Sequence, residues 1–131
     1  MGSLRTQLCR VSICLIALAP APPLYAQTPP DPLAVFAVCT GRLSAVMEFQ
    51  WLVQGSGSAQ TKVWRDAMAG LLDAVTPAGA QSRTMALRIG AKVAAAGLLQ
   101  AVRFGADPVA ADWARRRAAR LVADCTALML S

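Results

Sequence analysis

The sequence contains no histidine, one tyrosine and a single glutamate, Glu48. Without histidine, the commonest general base and the commonest metal ligand are both missing. No Ser/His/Asp or Cys/His catalytic set can be assembled, and no Cys-x-x-Cys-His string offers a haem attachment. Only 7 of 131 residues are Asp or Glu, and none of the others lies at helical spacing from Glu48. Acid–base work needs two groups with separated pKa values. The chain therefore reads as a non-enzyme without metal or cofactor. The alternation of a half-buried strand is also missing, and alanine stands where a sheet would carry β-branched residues. Disorder is excluded from the other side: 56% of residues are apolar, 15% are charged and the mean hydropathy is +0.46.

What is present begins with a targeting pattern. Residues 1–10 carry Arg5 and Arg10 and no acid, and Val11 to Ala19 is an apolar run. Pro20, Pro22 and Pro23 break that run before Leu24-Tyr25-Ala26. Basic, apolar and small-residue regions in this order make a secretory signal peptide, cut after Ala26. The run is too short to span a bilayer. Residues 1–26 are thus the signal peptide, 27–31 a short Pro-rich leader and 32–131 one domain. Removing Arg5 and Arg10 lowers the formal charge from +6 to +4. The expected location is the periplasm.

Cys9 and Cys14 leave with the signal, and Cys39 and Cys125 remain. In an oxidising compartment two cysteines read as one disulfide. Closing a loop between positions 86 apart restricts the unfolded chain by roughly 4–5 kcal/mol in the loop-entropy picture.

The domain reads as a small antiparallel four-helix bundle. Asp31-Pro32 offers an N-cap and a first-turn proline, and Phe36, Cys39, Leu43, Val46, Phe49 or Gln50, and Val53 recur at helical spacing over 32–54. Gly55-Ser56-Gly57-Ser58 makes a turn. A second helix spans about 58–75, with Trp64, Met68, Leu71, Leu72 and Val75 on one face. Thr76-Pro77 repeats the cap-plus-proline start, and the third helix runs from Pro77 or Ala80 to Phe104. It carries two apolar stripes: Met85, Ile89, Val93, Ala96 and Leu99, then Leu87, Ala91, Ala94, Leu98 and Val102. So wide an apolar face predicts contact with two neighbours. Gly90, Ala94, Gly97 and Ala101 form a smooth strip that would let a neighbour approach closely. Asp107-Pro108 starts the fourth helix, which runs to about Leu128 with Ala110, Trp113, Ala114, Ala118, Leu121, Cys125 and Leu128 inward. Cys39 near the start of the first helix and Cys125 near the end of the last then fall level, which only an antiparallel arrangement allows.

Few residues suggest chemistry. Glu48 and Gln50, in an apolar stretch with Trp51, could line a pocket, though a solvated or salt-bridged Glu48 is the plainer reading. Trp51, Trp64 and Trp113 could line an apolar ligand site or anchor the core. Met47, Met68 and Met85 read as core filler. Arg115, Arg116 and Arg117 point in three directions on a helix and form no patch. Arg120 can pair with Asp124, and Arg117 leans towards the core edge, where it could meet Glu48. Nucleic acid is not expected as a partner, nor is a stable membrane span after cleavage. By exclusion, the chain reads as an exported, non-enzymatic protein-interaction or chaperone-like module with an envelope protein partner. The alternative is a carrier of a small apolar ligand, with an inter-helical pocket near Trp51 and Glu48.

Overall fold

A computed structural model describes residues 29–53 and 55–130. The signal segment 1–26, with Cys9 and Cys14, lies outside the described residues, as do Gln27, Thr28 and Gln54. Four helices follow one another: α1 (Pro32–Leu52), α2 (Ser58–Val75), α3 (Gln81–Phe104) and α4 (Pro108–Ala127). No strand occurs among the described residues.

Local chemistry sets most of these boundaries. The Asp31 carboxylate accepts from the Leu33 N–H at 3.1 Å and Pro32 opens α1. Asp107 does the same for the Val109 N–H at 2.9 Å, ahead of Pro108. Each cap satisfies a donor the first helical turn would leave open. The third expected cap is not one. Thr76 closes α2, its hydroxyl donating to the Leu72 carbonyl at 2.6 Å. A tight turn follows, in which Gly79 takes a φ of +86°, a backbone state that favours glycine. α3 therefore starts at Gln81, one residue beyond the later of the two expected positions.

The helices form an antiparallel bundle with α1 as its hub. α1 packs against α2 and α3 and, through fewer residues, against α4; α3 also packs on α4. Cys39 and Cys125 are joined by a disulfide with their Cα atoms 5.5 Å apart, so the start of α1 lies beside the end of α4 as the spacing required. The bridge is buried with Leu43 and Met68, under Trp64, Val122 and Met129. A second cluster joins Leu33 and Ala37 to Leu72. The hydroxyls of the three buried threonines, Thr40, Thr61 and Thr84, donate to carbonyls four residues back, so none is left unpaired in the interior.

Several inward assignments fail, most of them on α3 and α4. Met85, Ile89 and Val93 are exposed, whereas Leu87, Ala91, Leu98 and Val102 are half-buried. α2 packs mainly on α1 and borders that flank of α3 only across open grooves at Met85 and Ile89. Ala94 is exposed as well. A Cβ added at Gly90 or Gly97 would meet nothing within 4 Å, so no neighbour uses the small-residue strip. Close approach happens instead at Gly41, where a Cβ would lie 2.2 Å from the Arg88 carbonyl oxygen. On α4, Ala110, Trp113 and Leu128 are exposed, while Ala114, Leu121 and Cys125 are buried. Leu71 and Val75 of α2 and Val53 beyond α1 also lie just on the exposed side.

Candidate functional site

The bundle leaves its most apolar surface on α3. By length and composition, α1 and α3 both resemble membrane-spanning helices. Of the most apolar eighteen residues, 44% are buried in α1 and only 11% in α3. The solvent side of α3 carries Met85, Ile89, Val93, Gly97 and Phe104, spaced by four residues and then by seven, on one helical face. Val93 is 66% exposed and Phe104 75%. Single exposed apolar residues are ordinary, but a contiguous strip of them marks an interaction surface or a liability.

The strip continues onto the end of α1. Leu52 and Val53 share a cleft with Arg103 and Phe104, so these ends lie together, and Leu52 is 83% exposed. Trp51 is exposed beside Leu52 rather than packed in the core. The Arg103 guanidinium sits over the Phe104 ring, 5.5 Å from its centre.

Charge is distributed just as unevenly. Beyond residue 26 the chain carries 11 Lys+Arg and 7 Asp+Glu. α3 holds Arg83, Arg88, Lys92 and Arg103 and no acid, so the remaining seven bases and seven acids balance. Arg83 pairs with Asp31 and Lys92 with Glu48, at 2.7 and 2.6 Å. Arg88 and Arg103 have no acid within ion-pair distance among the described residues. The arginine run of α4 is more occupied: Arg115 and Arg116 both engage Asp112.

The cleft between the ends of α1 and α3 has a volume of about 640 Å³ and is open to solvent. Ala45, Phe49, Ala96 and Leu99 supply apolar lining, with Glu48, Gln100 and Arg103 as its polar groups. Of the residues singled out from sequence, only Glu48 reaches it. Gln50 lies against Gly57 in the turn that follows α1, and its buried Oε1 has no partner. Trp64 is half-buried against the disulfide cluster. Trp113 and Arg117 border a separate groove of about 520 Å³ with Val38 and Arg42. Arg117 thus meets another arginine rather than Glu48; burial, together with that like charge, lowers the pKa of Arg42, while Asp124 counters it. Met47 and Met68 are buried, but Met85 is not.

Lys92 as the partner of Glu48 and Gly41 as the crossing point were not foreseen. A Thr-Gly pair inside an apolar helix was the available signal for the second. No metal-binding cluster of His, Cys, Asp or Glu is found among the described residues. Compared with family models, curated proteins and solved structures, the chain matches none of them.

Proposed function

We propose that the protein is an exported, non-enzymatic interaction module whose working surface is the outer face of α3. The observation that carries this is the apolar helix left 11% buried over its most hydrophobic stretch, in a bundle whose other clusters are well covered. Surfaces of this kind are costly to leave in water, and a partner that covers them recovers roughly 25 cal/mol per Å² of apolar area. Export rests on the signal-like pattern of residues 1–26 and agrees with the buried disulfide, which persists in oxidising compartments. The test is site-specific photo-crosslinking in the native envelope. A crosslinker replacing Val93 should capture an envelope component, and one replacing Val63, an exposed apolar residue of α2, should not. Equal capture at both positions, or none at either, refutes the reading.

A second reading is favoured by the cleft at Glu48: a carrier for a small apolar ligand seated on Phe49 and Leu99. Native mass spectrometry of freshly purified protein should then show retained mass, diminished in Glu48→Gln. An empty protein with an unchanged melting temperature across a lipid and metabolite panel removes it.

A further inference from the structure

We infer that the outer face of α3, with the adjoining end of α1, docks onto the surface of an anionic lipid bilayer. This rests on the reading of α3 as the working surface and names its partner. Three observations converge. The solvent side of α3 is apolar from Met85 to Phe104, interrupted only by Gln100, Arg103 and small residues. The whole positive surplus beyond residue 26 lies on that helix, and Arg83 and Arg103 are exposed near its two ends. At one end the surface widens into Leu52, Val53 and Phe104, all exposed. An apolar helical face flanked by basic groups, with an aromatic residue at one end, suits the boundary between headgroups and acyl chains. Phospholipid headgroups supply the negative charge, and the acyl boundary receives Ile89, Val93 and Phe104. Four cations on one helix also disfavour the other obvious occupant. An α3-to-α3 dimer would bring eight like charges together, with only Asp31 and Glu48 of each copy bridged to them.

The helix lies along the surface and does not cross it. Its inward side, at Thr84 and Ala95, is buried in the bundle, and the close approach of α1 at Gly41 holds it there. Docking therefore requires no unfolding.

The test is co-sedimentation with vesicles of phosphatidylcholine containing 30% phosphatidylglycerol, against vesicles of phosphatidylcholine alone. The protein is expressed with its leader, and mass spectrometry establishes that all variants share one N-terminus. Binding to the anionic vesicles is expected, falling as salt rises. Val93→Glu should weaken it tenfold or more, and Arg103→Gln by about fivefold. Val63→Glu on α2 should bind like the wild type. Circular dichroism shows whether each variant keeps its helices. Binding that ignores the phosphatidylglycerol content, or that Val63→Glu weakens as much as Val93→Glu, overturns the inference. So does a protein that leaves both vesicle types unbound. If in that case sedimentation reveals a dimer dispersed by Val93→Glu, α3 remains an interaction surface and only the bilayer is wrong. If Val93→Glu changes neither vesicle binding, oligomeric state nor envelope crosslinking, the α3 reading itself falls.

Discussion

α1 and α3 are two helices of similar length and apolarity with opposite fates. α1 is the hub against which the other three helices pack, and its buried positions run from Leu33 to Met47. α3 buries only Thr84 and Ala95 fully. Apolar composition therefore marks a helix as able to be buried, and the number of neighbours decides whether it is. In a four-helix bundle whose second helix packs mainly on the first, one flank of the third is only partly covered. The same apolar content then serves stability in α1 and recognition in α3.

The largest expected contrast is between equivalent truncations on the two helices. Leu43 is fully buried beside the disulfide, and Leu43→Ala should cost about 2–5 kcal/mol through lost contacts and the cavity left behind. Ile89→Ala, on the open side of α3, should stay within about 0.5 kcal/mol of the wild type. Urea denaturation of both variants measures the difference. Near-equal losses would mean that α3's outer face is covered and that the comparison is false. Replacing Cys39 and Cys125 together by alanine should fall in the same range as Leu43→Ala, about 2–5 kcal/mol, and peptide mapping without reductant should first recover the two cysteines linked.

Glycines make the next contrast, and here the signs differ. At Gly41 a methyl group would press on the Arg88 carbonyl, a backbone atom that cannot swing aside. Gly41→Ala should destabilise by about 1–3 kcal/mol as α1 and α3 are forced apart. At Gly90 and Gly97 the added methyl meets open space, and alanine is favoured over glycine within a helix by about 1 kcal/mol. Each of Gly90→Ala and Gly97→Ala should therefore raise the melting temperature. A loss of stability at both would place an unseen neighbour against α3.

These residues also mark what was legible in the sequence. Helix number, the two Asp-Pro starts and the disulfide follow from local chemistry and spacing, which act within one or two turns or over a fixed rise per residue. Which apolar stripe of α3 faces inward does not. Both stripes satisfy helical periodicity, and the choice depends on where α2 settles. The small-residue strip misled for the same reason: Gly90 and Gly97 permit close approach without requiring it, whereas Gly41 is the position that has a neighbour. Glu48 pairs with Lys92, which lies 44 residues away, and only the packing of α1 with α3 brings the two together.

The smallest effect expected lies on the one contact that ties the start of α1 to α3 through charge. Arg83 donates to the Asp31 carboxylate at 2.7 Å, and that hydrogen bond, helped by the Leu33 N–H, holds the Asp31 pKa below its ordinary value despite some desolvation. A carboxyl whose folded-state pKa is depressed stabilises the fold above its unfolded pKa. That contribution is lost as the pH falls through the lower, folded value. The side chains are exposed, so the effect is modest and screened by salt. Arg83→Gln should remove most of the acid-dependent loss while the Asp31 cap on Leu33 remains. Asp31→Asn should do the same, since asparagine caps about as well as aspartate. Melting temperatures from neutral pH down into the carboxylate range check this: the wild-type curve should fall more steeply at the acid end than those of both variants. Parallel curves would show that the Arg83–Asp31 pair contributes nothing measurable to the hold of α1 on α3.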